Sequence, residues 1–226
     1  MKTLVNSVIL FALLVLASCH KVEDIFDHVK DHDDDDQPEA SFKTGDIEAV
    51  HMFLADENGD SPTDPKELVY ESRKMNPVLS PSGHHLTLEE FDAVKGKLEM
   101  TCTEEGTRID LKLEGLIPFG LYSVWVLVFD EPGFTPDFVH EIAEGVPGGN
   151  EGKYSSFVAA SDGTGMYSQI VPEGDMSFFG NVTDCLLDEY EVHIVGAYHL
   201  DGQTYGGELG PDGKAVEQFG WVYQND

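Results

Sequence analysis

Two histidines six residues apart, His193 and His199, stand in the apolar run Glu191-Val192-His193-Ile194-Val195-Gly196-Ala197-Tyr198-His199. Imidazole nitrogens ligate transition metals and carry protons near neutral pH. In an extended strand both rings fall on one face, but at about 3.3 Å per residue they lie roughly 20 Å apart. One metal ion holds both only if the chain folds back at Gly196. Otherwise each ring needs partners from elsewhere, and His84-His85 is the evident source. Such a set would serve a metalloenzyme or a hydrolase; the plainer role is that of surface or hydrogen-bonded imidazoles. A second candidate is Asp56-Glu57-Asn58-Gly59-Asp60-Ser61-Pro62-Thr63-Asp64-Pro65-Lys66-Glu67. Its oxygen side chains are the donors a hard cation such as calcium takes.

In that loop Asp56, Asn58, Asp60, Asp64 and Glu67 occupy positions 1, 3, 5, 9 and 12, which resembles the calcium loop of EF-hand proteins. Position 7 gives only a carbonyl, so Pro62 can serve. The loop departs at position 6, where Ser61 stands in place of the glycine that permits a left-handed turn. Pro62 and Pro65 stiffen its exit. The flanks, 47–54 and 67–73, read as helices or as the strands of a hairpin, and an acidic loop between strands is the plainer reading. The resemblance implies calcium as the one possible cofactor.

His140-Glu141-Ile142-Ala143-Glu144 resembles the helix motif of zinc proteases, but Glu144 takes the place of the second histidine. The segment 135–145 reads as one short helix. Thr135 can cap it, Pro136 suits the first helical position and Gly145 can end it, with Phe138 and Ile142 inward. No Gly-x-Ser-x-Gly elbow occurs, and Gly213-Lys214 is followed by Ala215, so no phosphate loop is present. Paired carboxylates carry no signal among 43 acidic residues. No catalytic motif is found, and the chain reads as non-enzymatic.

The elements that must position these groups are strands. Short alternating runs at 97–103, 107–113, 153–160, 165–171, 190–199 and 217–223 are separated by Gly, Pro, Asn and Asp, while 121–130 is apolar on both faces, as in a covered central strand. Many short strands at this spacing argue for an all-β sandwich or barrel. Leu113-Glu114-Gly115-Leu116-Ile117-Pro118-Phe119-Gly120-Leu121-Tyr122 resembles the corner of fibronectin type III and related immunoglobulin-like domains. There a tyrosine hydroxyl ties the corner to backbone, and Tyr122 matches it. The resemblance implies an immunoglobulin-like antiparallel β-sandwich with one short helix in an insertion. The segment 131–150 is too long for a hairpin turn, so the likeness extends to general architecture only.

The first residues specify location. Lys2 precedes the apolar stretch 8–16, which is too short for a spanning helix, and Leu16-Ala17-Ser18-Cys19 closes it. This resembles the lipobox of bacterial lipoproteins. The resemblance implies cleavage before Cys19 and lipid on its sulfur and new amine, so the chain is a bacterial cell-envelope protein held in a membrane by acyl chains. His20, rather than Asp, after the anchor leans toward the outer membrane. The organisation expected is a signal peptide at 1–18, an acylated acidic tether at 19–40 and a β-sandwich domain at 41–226, with a subregion at 41–95 and a core at 96–226. His28, His32 and the aspartates of the tether could also act as a low-affinity cation sponge.

The 226 residues hold 43 Asp and Glu against 13 Lys and Arg, a formal charge of −30. Such a chain repels nucleic acid and attracts cations. An acidic coat also suits a saline habitat. With Cys19 used as anchor, Cys102 and Cys185 form the pair expected to bridge in an exported protein. The expected function is a binding or surface-presentation module for a protein or glycan ligand, with 131–150 and 200–214 as contact loops. The alternatives are a calcium module at 56–67 and a histidine-based metalloenzyme or hydrolase.

Overall fold

The computed structural model describes residues 41–132, 140–148, 154–208 and 210–225. Cys19, the leader, the tether and residues 135–139 of the expected helix lie outside them. In chain order the strands are β1 (Phe42–Ala49), β2 (Leu54–Ala55), β3 (Tyr70–Glu71), β4 (Asn76–Pro77), β5 (Lys95–Thr103), β6 (Gly106–Glu114), β7 (Leu121–Phe129), β8 (Glu141–Gly145), β9 (Ser156–Val158), β10 (Gly165–Val171), β11 (Gly174–Asp175), β12 (Asn181–Val182), β13 (Glu191–His199) and β14 (Ala215–Gln224). Helix α1 (Leu88–Phe91) and a 3₁₀ turn at Leu186–Asp188 interrupt them. The fold is all-β, as the alternation predicts.

A nine-stranded antiparallel sheet runs β10-β6-β5-β1-β14-β13-β7-β8, with β9 also on β7. It curls on itself, and β1 makes the corner. Phe42–Ile47 pair with β5, whereas Glu48 and Ala49 pair with β14. The inward residues of both halves form one core. Leu98, Met100, Ile109 and Leu111 face it from one side and Val124, Val126, Ile194 and Phe219 from the other. Each is almost fully buried, which contributes roughly 1.5–3 kcal/mol per large apolar side chain.

Helix α1 lies on the end of this core. Thr87 and Glu90 close a reciprocal capping box, and Leu88 and Phe91 are buried. The disulfide Cys102–Cys185 ties the end of β5 to the 3₁₀ turn, with Cα atoms 5.6 Å apart. Leu186 and Leu187 of that turn insert into the core.

The corner before β7 is held by Tyr122, which is fully buried. Its hydroxyl accepts from the Ile117 N–H at 2.9 Å and donates to Gln218 Oε1 at 2.5 Å. Gln218 Nε2 in turn donates to the Phe91 carbonyl at 2.8 Å. One chain of hydrogen bonds thus joins the corner, β14 and α1 inside the core. Tyr122→Phe leaves a buried amide and a buried carbonyl oxygen without partners, so it is expected to cost about 1–3 kcal/mol in urea unfolding. A loss below the error of that measurement would remove the corner from the stabilising contacts.

One element differs from expectation. Residues 141–145 form strand β8, paired with β7, and not the end of a helix. The capping residues Thr135, Pro136 and Gly145 suit a helix locally, but long-range pairing along β7 outweighs local preference. Ile142, expected inward, is 36% exposed, while Ala143 is buried.

Candidate functional site

β7 and β13 are buried on both faces. On β7, Tyr122, Val124, Val126 and Val128 enter the main core, which leaves Ser123, Trp125, Leu127 and Phe129 on the opposite face. On β13 the opposite face carries Glu191, His193, Val195, Ala197 and His199. These residues floor a second, smaller apolar cluster around Trp125, Leu127, Phe129, Val146 and Ala197. Over that floor lies a cavity of about 410 Å³. Its wall is completed by Glu141 and Glu144 of β8, Glu217 of β14, Phe178 and Phe179, Phe53 and Arg73, and Tyr205 and Glu208. Both segments expected to form contact loops, 131–150 and 200–214, contribute to it.

Two β-bulges aim the acids. Across β7–β8, Val128 pairs with Ala143 and Phe129 with Glu141, so Ile142 is the extra residue. That extra residue lets Glu141 and Glu144 face the same side although they stand an odd three positions apart. Across β13–β14, Gly196 pairs with Phe219 and Ala197 with Glu217, so Gln218 is extra. Without it, strict alternation would place Glu217 on the core face with Phe219. Gly196 has no side chain because the Phe219 ring takes the space: a Cβ there would lie 2.0 Å from that ring. The chain does not fold back at Gly196, so His193 and His199 stand at opposite ends of the floor with Val195 and Ala197 between them.

Burial sets the charges. Desolvation raises Glu141, Glu144 and Glu217 to about 7, and for Glu144 the neighbouring Glu141 and Glu217 add to the rise. Arg73 pulls Glu217 the other way. The Arg73 Nε donates to Glu71 Oε1 at 2.6 Å, and its guanidinium stacks 4.3 Å from the Phe53 ring centroid. Phe53 holds a left-handed backbone, φ 61°, at the pocket lip. For a bulky side chain this is a strained conformation. Trp125 meets the Phe178 edge with centroids 6.3 Å apart.

The histidines are buried rather than on the surface: the His193 ring packs on Phe129 with centroids 4.8 Å apart, and His199 lies 6.3 Å from the Tyr205 ring. His193 and His199 are 7% and 6% exposed. His193 Nε2 bonds Glu191 Oε1, and Gln224 Nε2 donates to the other Glu191 oxygen at 2.6 Å. His199 Nε2 lies 2.7 Å from Ser123 Oγ, while its Nδ1 is buried without a partner. Burial pushes His199 down, toward the neutral ring. Ser123 and His199 have the spacing of a hydroxyl and its base. However, the next amide, Val124 N–H, donates to the Ser155 carbonyl at 2.9 Å and so cannot serve a reacting oxyanion.

The other sequence candidates lie elsewhere. His84 Nε2 bonds Glu90 at 2.9 Å, and His85 Nε2 donates to the Val69 carbonyl at 2.9 Å, so neither joins the floor histidines. In the acidic loop Asp56 Oδ1 accepts the amides of Asn58 and Asp60 at 2.8 and 2.9 Å. The Asp60 amide is the main reason the Asp56 carboxyl is held low. Glu67 Oε2 accepts the amides of Thr63 and Asp64, and Asp64 Oδ1 accepts that of Lys66. These carboxylates bind loop backbone, and the flanks pair as β2 and β3 in hairpin fashion. Among the described residues no three His, Cys, Asp or Glu side chains stand together as a metal site.

Comparison with known protein families, curated proteins and solved structures finds no match. The pocket must be read from its own chemistry. Trp125, the bulges and Glu217 carry no mark in the sequence, and Glu141 and Glu144 stand out there only within the zinc-protease-like motif. The signal nearest to them is the run 121–130, apolar on both faces, which implies a second covered surface on β7. Among the described residues no helix is long and apolar enough to cross a membrane.

Proposed function

We propose that the chain is a bacterial envelope lipoprotein, tethered through Cys19, whose immunoglobulin-like body binds a small organic ligand in the pocket on β7, β13 and β14. The observation that carries the binding role is an apolar floor with buried polar atoms that lack partners: Glu141 Oε1 and His199 Nδ1 lie beside Trp125, Leu127 and Ala197. A protein leaves such groups buried and unpaired at a cost of about 1–3 kcal/mol each, which a bound donor offsets. A cavity of this size suits a ligand of drug-like dimensions. The lipobox at 16–19 supports the anchor, and the Tyr122 tie supports the immunoglobulin-like architecture. A second reading, hydrolysis, draws on the contact between Ser123 and His199, but the engaged Val124 amide favours binding over catalysis.

Expressed in a bacterium that processes lipoproteins, the protein is expected to enter the detergent phase on phase partitioning. Cys19→Ser should move to the aqueous phase. Retention of the variant in the detergent phase would remove the lipid anchor. The purified domain is expected to bind the neutral dye Nile red with enhanced emission. Ala215→Trp, which fills the pocket from its partly exposed wall, should abolish this. Equal binding by the variant would place the dye, and the binding role, elsewhere.

A further inference from the structure

We infer that the pocket takes an organic cation, a protonated amine or a guanidinium carried on an apolar body. This rests on the pocket being a ligand site. The argument starts from hydrogen-bonding type. Glu141 Oε1 and His199 Nδ1 lack partners, and His199 is more than nine-tenths buried. Neutral His199 presents Nδ1 as an acceptor when Nε2–H donates to Ser123 Oγ, and as a donor when Nε2 accepts the Ser123 hydroxyl, so the glutamates decide the matter. Once ionised, Glu141, Glu144 and Glu217 present only acceptors to the cavity. Ammonium and guanidinium carry donors alone together with positive charge, whereas a hydroxyl or amide brings acceptors of its own.

Charge points the same way. Glu141, Glu144, Glu208 and Glu217 line the cavity, and Arg73 is the one lysine or arginine among its described lining residues. The Arg73 charge is taken up by Glu71, and its Nη2 donates to the Ala215 carbonyl at 3.2 Å. The remaining acids repel one another in an apolar surround, and a monocation relieves this. The walls select an organic cation over a metal ion. Trp125 is buried in the floor, while Phe178 and Phe179 are 41% and 38% exposed at the mouth. Their ring faces attract diffuse positive charge, and their surface is covered by an apolar body. The carboxylates also lack the convergence a metal ion needs.

Binding of a cation favours the ionised glutamates, so it releases protons near neutral pH and should tighten between pH 6 and pH 8. His193 and His199 face the same cavity, and burial holds His199 toward its neutral ring, which opposes a cation less than a charged one would.

The test uses the purified domain and three matched probes at fixed ionic strength: 4-phenylbutylamine, 4-phenylbutan-1-ol and 4-phenylbutyrate, each titrated by calorimetry and by displacement of Nile red. The amine is expected to bind at least about tenfold more tightly than the alcohol at pH 8, with the acid weaker still, since charge-assisted hydrogen bonds are roughly twice as strong as neutral ones. Glu144→Gln and Glu217→Gln keep the shape of the wall, and each should lower the preference for the amine over the alcohol about tenfold. Alcohol binding equal to or tighter than amine would overturn the cation assignment, as would displacement of the amine by calcium alone. Failure of all three probes while Nile red binds and Ala215→Trp blocks it would also overturn it and leave the pocket reading standing. Failure of the dye as well would remove both.

Discussion

Replacing both Cys102 and Cys185 with alanine is expected to lower the unfolding free energy by about 3–5 kcal/mol. The bridge spans a sequence separation of 83, and constraining a loop of that length in the unfolded chain is worth about 4–5 kcal/mol in the chain-entropy account. Packing adds to the effect. Cys185 leads directly into Leu186 and Leu187, and the Thr107 hydroxyl both donates to Cys185 Sγ at 3.3 Å and accepts the Leu186 amide at 2.8 Å. Without the bridge this turn is held on the core by that hydroxyl and two leucines. Urea unfolding monitored by Trp fluorescence, with and without reductant, measures the loss directly. The midpoint should fall for the variant, and reductant should lower the wild type to match it. A loss under about 1 kcal/mol would mean that the turn stays docked without the covalent link.

Glu217→Gln should raise stability at pH 8 by about 1–3 kcal/mol and leave it unchanged near pH 4.5. Glu217 holds its proton in the native state to about 7, against an ordinary value of 4.5. Between those values the unfolded chain has lost a proton that the native chain retains, so native stability falls as pH rises through this window and levels off above it. A full shift of this size corresponds to about 3 kcal/mol. Glutamine holds the same shape without the ionisation, so the variant should lack this part of the decline. Glu141 and Glu144 respond in the same direction, with Glu141 contributing less because more of it reaches solvent. At the acid end the sign reverses. Glu90, held low chiefly by the Thr87 amide, stabilises the cap of α1 only while ionised, and that contribution is lost as the pH falls through its lowered value. Maximum stability should therefore lie on the acidic side of neutrality. Parallel thermal unfolding curves for wild type and Glu217→Gln from pH 4.5 to 8 test this, and identical pH slopes would show that Glu217 is ionised in the folded protein throughout.

The strands were legible because their signal is local. Alternation at 97–103 and 107–113 marks β5 and β6, and the doubly apolar run at 121–130 marks a strand covered on two sides. The pairing of Cys102 with Cys185 followed from counting thiols in a chain expected to be exported. The misread segment, 135–145, shows where local signals stop. Phe138 and Ile142 have helical spacing and Gly145 a plausible ending, yet the hydrogen-bond partner that decides residues 141–145 is β7, which lies far from them in the fold's pairing pattern only when read along the chain. The pocket was illegible for a related reason. Parity places His193 and His199 on one face, but only packing by Phe129 from β7 and by Tyr205 from the 200–214 segment turns them from surface groups into buried ones. Glu144 stands out in the sequence only as the misfit of a zinc-protease-like motif, and Glu217 looks like any other acid. The inserted residues Ile142 and Gln218 give them their direction, and an inserted residue leaves no mark in an alternating pattern of five or ten positions.

The corner strand bears on how the body withstands force. A pull transmitted along the chain ahead of Ser41 arrives at Phe42, the first residue of β1, and β1 lies between β5 and β14 in the interior of the sheet. Tension is therefore shared with neighbours on either hand instead of peeling away an outermost ribbon. A load applied at β14 is opposed through the same seam, one step across the sheet from β1.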